Sequence, residues 1–180
     1  MPILLAVLTG SFLFFGLYVA SRPSAFRIAR SRVIPASPAA LYPLIVDLHA
    51  WSRWSPWEKL DPSMTKNFDG PDTGVGASYH WVGNKKVGEG KMTITDCAAD
   101  QRVVIDLEFL QPFPARNVTT FTLEPEAEGT RVTWAMEGNR NFVMKLFNVF
   151  MNMDNLVGRD FENGLTAMAE VARGSSTADA

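Results

Sequence analysis

The residues best suited to acid–base chemistry in this sequence are its two histidines and the acids near them. His80, Asp106 and Glu108 lie in runs in which polar and apolar residues alternate. An imidazole beside a carboxylate can act as an acid–base pair, but alternation places these three side chains on the solvent-facing side of the predicted strands. His49 lies beside a group of tryptophans and could line the mouth of a cavity. The pattern therefore predicts no catalytic residue.

Other reactive groups are equally sparse. The sequence has no GxSxG, P-loop, GxGxxG or HExxH motif, so the standard nucleophile, phosphate-binding and zinc-binding signatures are missing. Cys97 is the single cysteine, which excludes an intrachain disulfide and a cysteine-rich metal site. Asp96, beside it, is predicted to be a turn residue at a strand end. We therefore expect neither a metal nor a cofactor.

Length and charge narrow the class of protein further. The chain has 180 residues, of which 47% are hydrophobic and 20% charged, and these values are typical of a globular protein. With 17 lysines and arginines against 19 acidic residues, the formal net charge is -2. This balance provides no broad basic surface, so nucleic acid is not an expected partner.

The N-terminal segment is the most apolar part of the chain. Residues 1–21 contain no charged side chain, and residues 3–20 are dominated by Leu, Phe, Val and Ala. As a helix, residues 3–20 would span about 27 Å, enough for the core of a bilayer. A secretory signal peptide should begin with a basic region and end in small residues, whereas Tyr18 stands near the candidate cleavage site after Ala20. We therefore predict an uncleaved transmembrane anchor, with a cleaved signal peptide or a buried core helix as alternatives.

Four arginines follow the apolar segment, namely Arg22, Arg27, Arg30 and Arg32, with no acidic residue before Asp47. Because positive charge is enriched on the cytoplasmic side of membrane segments, this pattern places the C-terminal domain in the cytoplasm, at the inner membrane if the protein is bacterial. Such a cluster can also meet anionic lipid headgroups. Alternatively, some of these arginines alternate on the outer face of the first strand.

Beyond this segment, the pattern predicts a strand, two short helices, six strands and a long helix. The first strand covers residues 26–34, and Ser37-Pro38 begins a helix that covers residues 39–46. A second short helix or turn covers residues 47–54. Six runs have a period of two, at 64–69, 76–83, 86–96, 102–110, 116–124 and 130–138. The short separators between them favour an antiparallel meander.

The C-terminal part changes to helical spacing. Apolar residues recur three or four positions apart from Phe142 to Ala172, which predicts one continuous helix of about 46 Å. Gly158 and Gly164 would each cost about 1 kcal/mol in such a helix, so they indicate a bend or close packing. One sheet with a single apolar face can bury that face by curling around the helix. Residues 173–180 are small and polar and are predicted to be a disordered tail.

Particular residues carry a family resemblance. They are Ser37-Pro38-Ala39, the tryptophan-rich residues 51–57 with Asp61-Pro62, Gly88-Glu89-Gly90-Lys91-Met92, residues 129–134 and residues 160–165. With them, residues 26–172 resemble the helix-grip superfamily (SRPBCC), which includes START lipid-transfer domains, and especially its bacterial polyketide cyclase/dehydrase-like branch. The resemblance implies an α+β helix-grip fold, in which a curved antiparallel sheet of about seven strands wraps around the long C-terminal helix. It also implies an apolar cavity between sheet and helix that binds lipids, sterols, polyketides or similar molecules.

The residues predicted to line such a cavity are aromatic residues, methionines and one glycine. They are Trp54, Trp81, Gly90, Met92, Trp134, Met136, Phe147, Phe150 and Met153. Flat tryptophans and flexible methionines suit an adaptable apolar ligand, and Gly90 is expected to leave space beside Met92. A filled core would use the same residue types, so the sequence leaves both possibilities open. The tryptophans at 51, 54 and 57 are predicted to form a structural plug at one end of the sheet, with a cavity gate or a membrane-interface contact as alternatives.

Together these patterns predict a transmembrane anchor at 1–21, a basic linker at 22–25, a helix-grip domain at 26–172 and a tail at 173–180. The leading hypothesis is a non-enzymatic, single-pass membrane protein that binds a hydrophobic small molecule or lipid. The alternatives are an enzyme of the polyketide cyclase/dehydrase type and a structural or assembly protein with a filled core. The oligomeric state stays open.

Overall fold

The computed structural model describes residues 2–178. The helices are α1 (Pro2–Ser21), α2 (Pro38–Val46), α3 (Phe142–Phe150) and α4 (Met153–Ala178). The strands are β1 (Ala25–Ile34), β2 (Thr65–Asp69), β3 (Ser78–Val82), β4 (Glu89–Ala98), β5 (Arg102–Gln111), β6 (Ala115–Glu126) and β7 (Gly129–Asn139). Two 3₁₀ helices, Leu48–Arg53 and Pro56–Lys59, lie between α2 and β2.

The seven strands form one antiparallel sheet in the order β1-β7-β6-β5-β4-β3-β2. Strands β2 to β7 pair with their neighbours in sequence, as the short separators predict. Strand β1 pairs with β7, so that Ile28 lies opposite Met136 and Ile34 opposite Thr130. The α+β class, the seven-stranded antiparallel sheet and the long C-terminal helix confirm the predicted helix-grip architecture.

The chain between β1 and β2 is shaped by local caps. Ser37 begins α2, because its Oγ accepts a hydrogen bond from the Ala40 amide (3.3 Å) and Pro38 occupies the first turn. Asp47 ends that helix and begins the next, since its Oδ1 accepts a hydrogen bond from the His49 amide (2.8 Å). The two caps turn the chain so that Trp51 is buried against the sheet.

Helix α4 packs its apolar stripe on the sheet, where Phe161, Leu165 and Met168 are fully buried. Its two inner glycines are explained by close packing. The guanidinium of Arg30 from β1 lies where a side chain at Gly158 would stand. A Cβ at Gly164 would lie 2.7 Å from Trp134 Cζ3.

The predicted single helix from residue 142 to 172 is wrong, because the chain breaks it between α3 and α4. The break coincides with Asn152, which caps the start of α4 just as Asn141 caps the start of α3. Asn141 Oδ1 accepts a hydrogen bond from the Met144 amide (2.9 Å), and Asn152 Oδ1 accepts one from the Asn155 amide (3.1 Å). Each asparagine therefore starts a helix of its own. Helix α4 then continues to Ala178, through most of the predicted disordered tail; residues 179–180 lie outside the described residues.

The four arginines after α1 do not act as one juxtamembrane cluster. Arg27 lies opposite Glu137 in the β1–β7 pair and forms an ion pair with it (2.8 Å). Arg30 Nε donates to Glu162 on α4 (2.8 Å), and Arg32 Nη1 donates to a threonine hydroxyl of the same helix (3.1 Å). Arg27 therefore lies on the outer face of the first strand, as the alternative states, whereas Arg30 and Arg32 lie on the face that packs against α4.

Helix α1 lies beside α3 and leaves most of its apolar side chains exposed. The Phe15 and Phe150 rings are 6.2 Å apart, and Lys145 Nζ donates to the carbonyl oxygen of Ala20 (3.2 Å). Within the part of the chain that the structure describes, no helix is both long enough and apolar enough to cross a membrane.

Candidate functional site

A cavity of about 550 Å³ lies between the sheet and the N-terminal half of α4. Most of its wall consists of aromatic rings, methionines and aliphatic side chains. Small-molecule sites in proteins typically enclose about 300–1,000 Å³ in such surroundings. This part of the domain therefore contains free space of the size that a small molecule needs.

Five of the nine residues predicted to line a cavity do line this one: Trp81, Met92, Trp134, Met136 and Met153. The first four face it from β3, β4 and β7, because side chains two positions apart share one face of a strand. Met153 faces it from the first turn of α4. These side chains provide an apolar wall on both sides of the space.

The other four predicted residues lie elsewhere. Trp54 is fully buried in the core, where its Nε1 donates to a backbone carbonyl of α2 (2.7 Å). Gly90 lies opposite Trp81, whose ring occupies the space that a side chain at this position would need. Gly90 therefore makes room for Trp81 and not for a ligand. Phe147 and Phe150 are exposed on α3, because the helix break before α4 turns them away from the interior.

A group of stacked aromatic rings closes one end of the interior. Trp134 stacks on Phe161 with ring centroids 4.3 Å apart, and Trp51 lies 4.7 Å from Trp54. Trp51 and Trp54 thus form the plug that the sequence predicts. Trp57 lines the cavity, as Trp51 also does, and its ring is edge-on to Trp134.

One polar group of the cavity wall is a hydrogen-bonded set around Glu58. Tyr79 Oη donates to Glu58 Oε1 (3.2 Å), and Lys66 Nζ forms an ion pair with Glu58 Oε2. Burial, followed by the negative charge of Glu58, raises the pKa of Tyr79 above its ordinary value. The phenol therefore stays protonated and remains a hydrogen-bond donor to Glu58. Glu58 and Tyr79 both face the cavity and offer polar contacts within an otherwise apolar wall.

Asp160 is the other acidic residue of the wall, and it lies on α4. Burial raises the pKa of its carboxyl group. Among the described residues it has no hydrogen-bond or ion-pair partner. A carboxyl group in apolar surroundings gains most from a donor that a bound molecule brings. Asp160 is therefore available to contact the polar part of a ligand.

Three exposed residues of the wall mark where the cavity reaches the surface. Leu60 follows the second 3₁₀ helix, Lys86 lies between β3 and β4, and Leu156 lies in the second turn of α4. Leu156 is 50% exposed, although it also faces the cavity. A molecule could therefore enter along the beginning of α4 without unfolding of the sheet.

Residues 25–173 match the sequence profile of a family described as polyketide cyclase / dehydrase and lipid transport. The chain belongs to this family. No curated protein is similar enough to count as a match.

Solved structures similar to this family member share its fold. Protein CV1439 from Chromobacterium violaceum is 18% identical, with a TM-score of 0.59 over 81% of this chain and 96% of that one. SA2116 from Staphylococcus aureus is 13% identical, with a TM-score of 0.61 over 87% and 98%. DynU16, from the dynemicin biosynthetic locus, is 14% identical, with a TM-score of 0.55 over 80% of this chain and 46% of that one. At these identities the likeness concerns the fold alone.

In this member of the family, the acid–base candidates of the sequence lie away from the cavity. His80 Nε2 lies 3.2 Å from Glu89 Oε1 on the outer face of the sheet, and Asp106 and Glu108 pair with an arginine of β6. His49 stacks on Phe68 (3.9 Å) beside a separate pocket of about 110 Å³. Among the described residues no group of His, Cys, Asp and Glu could hold a metal ion.

The polar residues that do face the cavity were not apparent as chemistry in the sequence. Tyr79 shares its inward alternation with Trp81, which was a usable signal for its position. Asp160 stands three residues after Val157, within helical reach of the apolar stripe. Glu58 lies in a short 3₁₀ helix without any period that predicts its direction.

Proposed function

We propose that this protein binds a hydrophobic small molecule or lipid in the cavity between the sheet and α4. The single observation that carries the proposal is the volume of about 550 Å³ with its predominantly apolar wall. Trp81, Met92 and Met136 provide flat and flexible contacts for an apolar chain or ring system. Asp160 and the pair of Glu58 and Tyr79 provide places for a polar group, so an amphiphile suits the site better than a pure hydrocarbon.

We further propose that residues 3–20 anchor the protein in a membrane, with the C-terminal domain on the cytoplasmic side. The support is the uninterrupted apolar sequence and the exposure of side chains such as Phe12 and Leu17 on α1. Arg22 follows the segment directly, and its guanidinium lies over the Tyr18 ring (5.3 Å). Because Arg27, Arg30 and Arg32 have partners within the domain, Arg22 is the charge that supports this orientation.

A titration of the full-length protein in nanodiscs tests ligand binding. The probes are a dansyl-labelled fatty acid and dehydroergosterol, each read from its own emission so that protein tryptophans do not interfere. We expect saturable binding of at least one probe. Leu107→Trp, which fills the cavity from β5, should abolish it. Val118→Trp is the matched control, because Val118 pairs with Asp106 in the same part of the sheet and is exposed. Equal binding by both variants would contradict the proposal.

An enzyme of the cyclase or dehydrase type is the second candidate, favoured by the acidic groups and phenol in the cavity wall. Mass spectrometry of small molecules that copurify with the wild type and with Asp160→Asn separates the two functions. A binding protein should retain the same molecule in both. An enzyme that uses Asp160 should retain different molecules, for example a pair whose masses differ by one water.

A further inference from the structure

Helix α3 exposes several large apolar side chains. Phe150 is 75% exposed and Phe147 is 47% exposed. Phe142, Val143 and Met151 are exposed as well. Single exposed residues of this kind are normal on a protein surface, whereas a contiguous group marks a site of interaction.

These residues continue into two neighbouring segments. Phe113, in the turn between β5 and β6, is exposed and has its ring 5.7 Å from that of Phe147. Phe150 contacts Phe15 of α1. We call the following residues the apolar shelf: Phe113, Phe142, Val143, Phe147, Phe150 and Met151. Because α1 also exposes its apolar side chains, the shelf and α1 form one apolar surface.

The charges beside the shelf indicate what covers it. Residues 138–153 contain Arg140 and Lys145 and no acidic residue. The flanking acids, Glu137 and Asp154, are paired with arginines of β1. An apolar face with basic borders complements a bilayer that contains anionic lipids. A second copy of the chain would bring the same positive charges together, so a bilayer fits this surface better.

The shelf adjoins the opening of the cavity. Met151 is followed two residues later by Met153, which lines the cavity. Leu156 and Val157 continue the wall along α4, and Leu156 is also exposed. An apolar path therefore connects the shelf to the interior along the first turns of α4.

We infer that the apolar shelf lies in the boundary between headgroups and acyl chains of a bilayer, and that the ligand passes between bilayer and cavity along the start of α4. This inference rests on the proposed function, since it names the source of the ligand that the cavity binds. It goes beyond anchoring by α1, because it assigns a second membrane contact to α3 and the β5–β6 turn.

The position of the shelf is tested with the full-length protein in vesicles of phosphatidylcholine and phosphatidylglycerol. An NBD fluorophore is attached at Phe147→Cys in a Cys97→Ala background, and at Val118→Cys as the control on the outer face of the sheet. We expect blue-shifted NBD emission that nitroxide-labelled lipids quench at position 147 and not at 118. Emission typical of water at both positions would overturn the inference. A blue shift without quenching by these lipids would identify a protein partner, such as a second copy, and would also overturn it.

The transfer path is tested with the double variant Phe147→Ser, Phe150→Ser. We expect the rate at which the protein takes the dansyl-labelled fatty acid from vesicles to fall about tenfold, because two apolar contacts with the bilayer are lost. The dissociation constant for the same probe in detergent should stay within about twofold of the wild-type value, since neither residue lines the cavity. An unchanged transfer rate would refute the path. If the wild type does not bind the probe, the proposed function is refuted instead. The NBD measurement would still decide the position of the shelf.

Discussion

The two ends of the domain interior are built from the same residue types but differ in packing. At the closed end, Trp51, Trp54 and Trp134 pack with ring centroids 4.7 to 6.1 Å apart. At the open end, Trp81 and Met92 belong to the wall of a cavity of about 550 Å³. Tryptophan rings therefore pack against one another at the closed end, whereas tryptophan and methionine side chains enclose a space at the open end; Trp51 and Trp134 lie at the boundary and contact both.

The difference arises from the segments that oppose the sheet. The first 3₁₀ helix carries Trp51 to the closed end, where its Nε1 donates to the carbonyl oxygen of Ile45 (3.0 Å). At the open end, the wall opposite the sheet is the beginning of α4, whose Met153 and Val157 do not reach across the space. Whether these side chains are closely packed thus depends on which segment lies opposite them and not on their residue type.

The largest expected effect is at the closed end. Trp54→Ala should lower the free energy of unfolding by about 3–5 kcal/mol, because it removes a fully buried ring and leaves a void among its neighbours. Urea denaturation measures this loss. Phe147→Ala is the control, because its exposed ring should contribute less than about 0.5 kcal/mol. Similar losses for the two variants would contradict the assignment of a packed core at this end.

Gly164→Ala tests the closed end by adding an atom. Alanine normally stabilises a helix relative to glycine by about 1 kcal/mol. At this position the new Cβ would lie 2.7 Å from Trp134, so we expect a net loss of about 1–3 kcal/mol. A thermal melt shows whether the variant is less or more stable than the wild type. Gly174→Ala serves for comparison, since its Cβ would meet no atom within 4 Å; a gain at both positions would show that the closed end has spare volume.

Leu107→Ala probes the open end. Leu107 lines the cavity and is half-buried, so its truncation enlarges an existing space and costs about 1 kcal/mol of unfolding free energy. The measurement is the same urea experiment as for Trp54→Ala. A loss as large as that of Trp54→Ala would mean that the open end is packed as tightly as the closed end.

The smallest expected effect depends on pH. Burial raises the pKa of the Asp160 carboxyl above its ordinary value, so this carboxyl favours the folded state when it is protonated and loses that contribution as pH rises through its folded pKa. Asp160→Asn removes the cost of burying an ionised carboxylate at neutral pH. The urea midpoint of the variant should therefore exceed that of the wild type at pH 7 and approach it at pH 3. A lower midpoint at pH 7 would show that the ionised carboxylate has a stabilising partner.

Sequence patterns alone determined which strands form and which face of the sheet the residues of β3, β4 and β7 occupy. Alternation places Trp81, Met92, Trp134 and Met136 on the inner face because successive side chains on a strand point to opposite sides. The cap at Ser37 is equally local, since it involves residues within one turn. Asn152 is a residue type that often caps a helix and so could have indicated the break of the C-terminal helix. The apolar residues continue at helical spacing across it, however, and this pattern predicts one helix.

Only the tertiary structure decided which of these inward residues surround free space. Gly90 is an example, because the space beside it is occupied by the Trp81 ring on the neighbouring strand and is not open to a ligand. Asp160 shows it again, since the absence of a hydrogen-bond or ion-pair partner for it among the described residues depends on which segments the packing of α4 on the sheet brings near. Cavity volume and polar partners depend on distances between segments far apart in sequence, and a local pattern carries no information about those distances.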